Sequence, residues 1–198
     1  MTDLHEQVED FRRRAASEGL VDVSYETHES PLGDLVACAT DAGLVAVALP
    51  EDDPDELLSR IAVKVSPRVL RGPSSTLTQA RRALDAYFES GDGNFALPLD
   101  WRLTSEFQQQ VLTALTGVQS GSTVSYSQLA ALAGRPTAIR AAGTALARNP
   151  IPIVVPCHRV LAAGNKPGGF SANGGVVTKL KMLEIEGAVV NHTPSLFD

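Results

Sequence analysis

The spacing of apolar residues in the first half of the chain predicts a small α/β unit. Leu4, Val8, Phe11 and Ala15 recur at the period of a helix, so residues 3–18 are expected to form an amphipathic helix. Beyond it, apolar and polar positions alternate between turn-forming Pro, Gly and Asp residues, as in the strands of a half-buried sheet. The further elements predicted are two or three strands within residues 25–50, helices within 51–65 and 74–91 with Ser74 or Ser75 as the cap of the second, and an edge strand at 94–101 that Pro98 limits.

The second half of the chain has mainly helical periods. Four helices are predicted, within residues 104–115, 125–134, 135–150 and 176–187. The middle two are separated by a Gly-Arg-Pro turn and form a candidate helix-turn-helix, with Pro136 and Thr137 at the start of its second helix. In the last helix, Val176, Leu180 and Leu183 are expected to face the core. The chain is therefore predicted to be an α+β protein, with an extra N-terminal helix at 1–20, an α/β domain at 21–100, a mostly helical domain at 101–190 and a flexible tail at 191–198.

The overall composition indicates a globular protein with its own hydrophobic core. Of the 198 residues 43% are hydrophobic, and no apolar run approaches the roughly 20 residues of a membrane-spanning helix, so no membrane partner is expected. The charged N-terminus is unlike a secretory signal. Two cysteines, Cys38 and Cys157, supply neither a disulfide framework nor a zinc motif. A reducing cytoplasm is the location that this use of cysteine favours.

Charge is divided unevenly between the two halves of the chain. Residues 1–100 carry 9 Lys and Arg against 19 Asp and Glu, a net charge of −10, whereas residues 101–198 carry 8 against 4, a net charge of +4. A basic half can mark a face that binds nucleic acid. A difference of this size also arises by chance, so charge alone leaves DNA binding open.

The second helix of the candidate helix-turn-helix has a nearly bare outward face. The residues expected to face the core are Ile139, Ala142 and Leu146. The outward residues are small or short, namely Gly143, Thr144 and Ala147, with one long cation, Arg140. Such a face suits close approach to a DNA minor groove, with the arginine entering the base stack. It equally suits packing against another helix.

The segment IPIVVPCHRV places Cys157 beside His158 and Arg159 at the end of an apolar run. Polar groups are costly to bury without partners, so this arrangement indicates a functional site more than a plain buried thiol. Adjacent side chains rarely face one another, and we expect a water to link Cys157 to His158, which would take the thiol proton. Glu184 or Glu186, at the end of the last helix, can orient the other imidazole nitrogen. The resulting relay would serve a thiol hydrolase or an alkyl acceptor equally well.

These motifs together resemble those of the O6-alkylguanine-DNA alkyltransferase family, the methylated-DNA–protein-cysteine methyltransferases. The resemblance rests on NPIPIVVPCHRV with SYSQLA and RAAGTALARNP upstream, and it extends over residues 25–187. It implies a ribonuclease H-like N-terminal domain and direct DNA repair. A monomer would bind double-stranded DNA in the minor groove, flip out O6-alkylguanine and take its alkyl group onto Cys157 in a single turnover, with no metal or organic cofactor. Activity on O4-alkylthymine stays open.

The resemblance also implies roles for individual residues. Cys157 matches the alkyl acceptor, His158 the base that activates it, and Glu186, rather than Glu184, the orienting acid. The other residues that it assigns are Asn149, which ties the second helix to the active-site segment; Tyr126, near the flipped base and the DNA; Arg140, which fills the gap left by the flipped nucleotide; Gly143, Thr144 and Ala147, on the DNA; and Arg159, Val160, Phe170 and Ser171, around the substrate.

The chain departs from the family pattern near the substrate pocket. Three residues, Ser171, Ala172 and Asn173, separate Gly-Phe from Gly-Gly where one residue is usual, and Ala142 replaces the common valine after Arg-Ala. The loop TGVQSGSTVSY also lacks the proline usually found before its glycine. Two related classes fit less well. Alkyltransferase-like binding modules lack the acceptor cysteine, and adaptive-response regulators need a cysteine-rich zinc domain that two cysteines cannot form.

Overall fold

The first half of the protein forms a four-stranded sheet with helices packed against it. The computed structural model describes residues 4–170 and 175–190. The elements of this half are α1 Leu4–Ser17, β1 Val23–His28, β2 Leu35–Ala39, β3 Leu44–Ala48, α2 Pro54–Lys64, β4 Val69–Arg71 and α3 Ser75–Ser90. The strand order is β3-β2-β1-β4, with β1, β2 and β3 antiparallel and β4 parallel to β1. Ser74, rather than Ser75, caps α3, because its side chain accepts from the Leu77 amide.

The second half is mostly helical, as predicted. Its elements are α4 Glu106–Thr116, β5 Val124–Ser125, α5 Tyr126–Leu132, α6 Ile139–Ala147, β6 Val160–Leu161 and α7 Gly175–Ile185. Helices α4, α5 and α6 pack on one another, and α5 and α6 form the predicted helix-turn-helix. The short strands β5 and β6 pair in parallel and bring the start of α5 beside the cysteine segment.

One apolar core joins the two halves. The inner side of α3 contributes Leu77, Ala80 and Leu84 to the same buried cluster that holds Leu112 of α4 and Met182 of α7. No helix among the described residues is long and apolar enough to cross a membrane.

The edge strand predicted at residues 94–101 is wrong. This segment touches the sheet at a single bridge, between Leu44 and Leu99. The Leu44 amide donates to the Pro98 carbonyl, and the Asp100 amide donates to the Leu44 carbonyl, each at 2.9 Å. Proline has no amide hydrogen, so the ladder cannot continue through it. The short strand β4, by contrast, was not predicted.

Two helix faces also differ from the prediction. Ile139 is 41% exposed, because α6 starts at this residue, three positions after Pro136. In α7 only Leu183 of the three predicted core residues is fully buried. The helix instead buries a lysine, Lys179, whose polar end has hydrogen-bond partners.

Candidate active site

Cys157 lies in the wall of a cleft and is almost fully buried. It begins a single 3₁₀ turn, Cys157–Arg159, and is 9% exposed. The cleft has a volume of about 830 Å³. The residues that line it include Cys157, Asn149, Pro152 and Phe170, together with several residues of α2. The thiol is therefore shielded from bulk solvent yet faces a space that a ligand can enter.

Asn149 connects the end of α6 to the cysteine segment. Its side-chain amide donates to the Val155 carbonyl at 2.8 Å, and its side-chain oxygen accepts from the Ile151 amide at 3.0 Å. Between these contacts Ile153 has a left-handed backbone with φ of 71°. A β-branched residue rarely adopts this conformation, and such strain persists only where the surroundings impose it. The backbone before Cys157 is thus held in one unusual shape.

His158 and Glu186 form a fully buried pair. The His158 Nε2 atom lies 2.7 Å from Glu186 Oε1, and both side chains are 0% exposed. Because a carboxylate only accepts, Nε2 carries the proton and Nδ1 of the neutral ring carries the lone pair. Nδ1 has no hydrogen-bond partner in the described protein. Glu184, the alternative acid, is exposed.

Arg159 turns inward to the same carboxylate instead of lining the cleft. Its Nε atom donates to Glu186 Oε2, and its terminal nitrogen to Glu186 Oε1, each at 2.9 Å. The other terminal nitrogen donates to the Val118 carbonyl. The guanidinium is buried, and pairing it with a carboxylate is what makes its burial tolerable. Arg159 therefore does not line the cleft, contrary to the prediction that it lies around the substrate.

Burial and hydrogen bonding set the protonation of these groups. Burial would raise the pKa of Glu186, but hydrogen bonds from His158 and Arg159 outweigh it and lower that pKa to about 2. Burial lowers the pKa of His158, so the ring is neutral at physiological pH. Burial raises the pKa of the Cys157 thiol, opposed by the Asn149 side chain and by the charge of Lys179. At rest the site therefore holds a neutral thiol, a neutral imidazole and a carboxylate.

Lys179 is a site residue that the sequence analysis missed. Its ammonium donates to the carbonyls of Val160 and Pro167, both at 2.6 Å. Burial lowers its pKa to about 8, while the nearby Cys157 opposes that shift. A lysine on the buried face of α7 would have been the signal for it. The prediction placed that face at Val176, Leu180 and Leu183, which excludes Lys179.

Replacing Lys179 with methionine is expected to slow alkylation of Cys157 at neutral pH by about tenfold, because the variant loses the cation that favours the thiolate. The loss should shrink above about pH 8, where Lys179 itself becomes neutral. Iodoacetamide labelling of Cys157, followed by peptide mass mapping across pH, measures this. Lys181→Met, which removes an exposed cation from the same helix, is the matched control. Identical pH profiles for the two variants would contradict the role of Lys179.

Tyr126 lies near Cys157 and packs against α6, whose last residue, Ala147, lines the cleft. Tyr126 is the first residue of α5, which a Ser125–Gln128 capping box fixes in place. A Cβ atom added at Gly143 would lie 3.6 Å from the Tyr126 ring, an ordinary van der Waals distance, so Gly143 lies directly against this ring. Burial and the nearby Cys157 raise the pKa of Tyr126, which stays a phenol.

The remaining predicted site residues are found on the surface of α6, in the core or outside the described residues. On α6, Arg140, Thr144 and Ala147 are exposed. Val160 is buried and its carbonyl already accepts from Lys179, which leaves one lone pair for a further donor. Ser171 lies outside the described residues. Among the described residues, no cluster of three or more His, Cys, Asp or Glu could hold a metal ion.

The protein combines a helix-turn-helix, typical of DNA-binding proteins, with a buried cysteine in the wall of a cleft. Two family models match the chain. Residues 23–101 match the 6-O-methylguanine DNA methyltransferase ribonuclease-like domain, and residues 106–188 match the DNA-binding domain of the same family. The α+β fold class predicted from the sequence is confirmed by these matches.

Relatives and solved structures agree with the family models. The methylated-DNA–protein-cysteine methyltransferase of Cricetulus griseus is 37% identical over 179 residues, covering 83% of this chain and 82% of the relative. The Mycolicibacterium paratuberculosis protein of the same name is 36% identical, covering 89% and 99%. The crystal structure of Mycobacterium tuberculosis OGT in complex with DNA has a TM-score of 0.68 at 34% identity, covering 83% of this chain and 92% of that one. This chain belongs to the methylated-DNA–protein-cysteine methyltransferase family, as its motifs predicted.

Proposed function

We propose that this protein repairs DNA by moving the alkyl group of O6-alkylguanine irreversibly onto Cys157. The observation that carries the proposal is the placement of Cys157 in the wall of a cleft, next to a buried His158 that Glu186 holds at 2.7 Å. The names of the relatives and the DNA complex of the Mycobacterium tuberculosis protein support the same substrate class.

DNA would bind through the outward face of α6. The side chains there are short, so the backbone can approach a minor groove closely. The alkylated base is stacked inside the duplex and must be flipped out to meet the sulfur, at a cost of a few kcal/mol. Arg140, exposed on α6, would occupy the gap and offset part of that cost. Gly143, Thr144 and Ala147 would line the contact.

The transfer step then uses the groups around Cys157. His158 takes the thiol proton onto Nδ1 through a water, and Glu186 stabilises the imidazolium that forms. The sulfur attacks the alkyl carbon, and the carbon–O6 bond breaks as the carbon–sulfur bond forms. The electron pair stays with guanine, which takes a proton from Tyr126, and solvent restores that proton. Tyr126 holds this proton at neutral pH, because burial and the nearby Cys157 raise its pKa.

The product is a thioether on Cys157. A thioether is a poor leaving group, and the site offers no step that would hydrolyse it. Each molecule would therefore act once, as a monomer and without a metal or an organic cofactor. The ribonuclease-like part within residues 21–100 would support the acceptor part within residues 101–190, and the cytoplasm is the expected location.

Intact mass measured before and after exposure to duplex containing O6-methylguanine tests the proposal. We expect a gain of one methyl group, which peptide mapping assigns to residue 157, and a matching loss of methyl from the DNA. If the methyl group stays entirely on the DNA and the protein mass is unchanged, only a lesion-binding function would remain. Repeated turnover of a small ester, abolished in Cys157→Ala, would identify a thiol hydrolase instead.

Replacing Arg140 with alanine is expected to slow transfer from duplex by about a hundredfold while leaving transfer from free O6-methylguanine nearly unchanged. Only the duplex reaction needs a flipped nucleotide, and the lost support is on the order of 2–3 kcal/mol. Single-turnover rates on the two substrates measure the split. Arg135→Ala, which removes an exposed cation just before α6, is the matched control. Equal losses on both substrates would contradict the role of Arg140.

A further inference from the structure

Tyr87 is a buried residue of the N-terminal half that reaches the candidate active site. It lies near the end of α3 and is 0% exposed. Its ring centroid is 5.1 Å from that of Phe88 and 5.5 Å from that of Phe95. Its hydroxyl donates to Glu186 Oε1 at 3.2 Å. The phenol remains protonated, because burial and the neighbouring carboxylate raise its pKa.

The oxygen that Tyr87 contacts is the one that holds His158. Oε1 accepts from His158 Nε2 at 2.7 Å and from an Arg159 nitrogen at 2.9 Å. The other carboxylate oxygen accepts from Arg159 and, at 3.3 Å, from the Gly121 amide. Each donor draws charge from the carboxylate and fixes its plane. The Tyr87 hydroxyl therefore influences both where Oε1 lies and how strongly it attracts a proton.

The end of α3 is fitted tightly against the end of α7. A Cβ atom added at Gly91, the capping residue that follows α3, would lie 2.4 Å from the Ile185 carbonyl oxygen. Gly91 also has φ of 73°, which favours glycine. A Cβ atom at Gly93 would lie 2.1 Å from the guanidinium of Arg159. Two glycines thus allow the N-terminal half to approach Glu186 and Arg159 closely.

We propose that Tyr87 is a positioning residue for alkyl transfer, holding the Glu186 carboxylate so that His158 is oriented to accept the thiol proton. The inference rests on the proposed function of Cys157. It also gives the N-terminal half a direct part in the chemistry, through one hydroxyl group, in addition to its share of the core.

The expected effect on pH dependence has a definite sign. The titratable or charged groups facing His158 are Cys157, Arg159, Lys179 and Glu186, with Tyr87 acting through Glu186. Without the Tyr87 hydroxyl, Oε1 carries more charge and stabilises the imidazolium more strongly. His158 would then become protonated at a higher pH. Since transfer requires neutral His158, the acidic limb of the rate profile should move to higher pH.

The test compares Tyr87→Phe with wild type in single-turnover transfer from methylated duplex, from about pH 5 to about pH 9. Phenylalanine keeps the ring packing and removes only the hydroxyl. We expect about a tenfold slower rate at neutral pH and an acidic limb shifted upward by about half a pH unit to one unit. Tyr25→Phe, which removes a hydroxyl from β1 remote from Glu186, is the matched control and should behave as wild type.

A merely structural role would lower the rate equally at every pH, without moving the limb, and that result would overturn the proposal. So would a Tyr87→Phe profile identical to wild type. A double-mutant cycle adds a second readout, because Tyr87→Phe should have no further effect on the profile in a Glu186→Gln background. If wild type itself transfers no methyl group, the proposed function fails. If wild type transfers and Tyr87→Phe is unchanged, only the present inference fails.

Discussion

Replacing Cys157 with alanine is expected to abolish methyl transfer while leaving affinity for methylated duplex within about twofold of wild type. In the proposed reaction the Cys157 sulfur forms the bond to the alkyl carbon, whereas the proposed DNA contacts lie on α6 and use no thiol. Electrophoretic mobility or fluorescence anisotropy gives the affinity, and intact mass gives the transfer. Cys38→Ala, which removes the other buried thiol from β2, is the matched control and should keep full transfer.

Loss of DNA affinity together with transfer in Cys157→Ala would contradict the separation of binding from chemistry. Transfer that persists in this variant would remove Cys157 as the acceptor. Alanine also removes volume from a buried site, so a thermal unfolding midpoint measured for each variant shows that the comparison is made between folded proteins.

Replacing Glu186 with glutamine is expected to lower the free energy of unfolding by about 3–5 kcal/mol and to slow transfer by at least about a hundredfold. The carboxylate neutralises the buried Arg159 and orients His158. A glutamine amide keeps one acceptor but turns two donors toward groups that are themselves donors. Urea unfolding and single-turnover transfer measure the two losses. Glu184→Gln, on the exposed side of α7, should leave both nearly unchanged.

Glu186 should also make the free energy of unfolding depend on pH. Its pKa is lowered from the ordinary value of 4.5 to about 2 in the folded protein. The stability that it contributes is fully present above about 4.5 and is lost as the pH falls toward about 2. Wild type should therefore lose more stability than Glu186→Gln over this range. Equal slopes of unfolding free energy against pH would contradict this account of the buried ion pair.

Much of the site was predictable because its chemistry is concentrated in one short segment. Cys157 and His158 are adjacent at the end of an apolar run, where polar residues require partners. Asn149, in the same stretch of ten residues, was assigned through the resemblance to the family. The choice between Glu184 and Glu186 was different. Helical spacing left both open, and the resemblance to the family selected Glu186, which the structure brings to His158.

The residues that were missed depend on contacts between distant parts of the chain. Tyr87 has the spacing of an ordinary core residue of α3, and its hydroxyl acquires a partner only through the packing of α3 against α7. Lys179 was missed because the buried face of α7 holds both polar and apolar residues. The spacing of apolar residues in this helix therefore does not indicate which face is buried. Ile139 was predicted to face the core but is the first residue of α6 and is exposed. Helix ends are harder to place from a sequence than helix centres.

The raised pKa of Cys157 has a consequence for how long an idle molecule keeps its function. Oxidants attack the thiolate far more readily than the thiol, and sulfinic or sulfonic acids are not reduced back. A protein that acts only once, as proposed above, has no spare nucleophile to lose. By keeping the Cys157 sulfur neutral while no substrate is bound, this fold would preserve the one reaction of each molecule for damaged DNA.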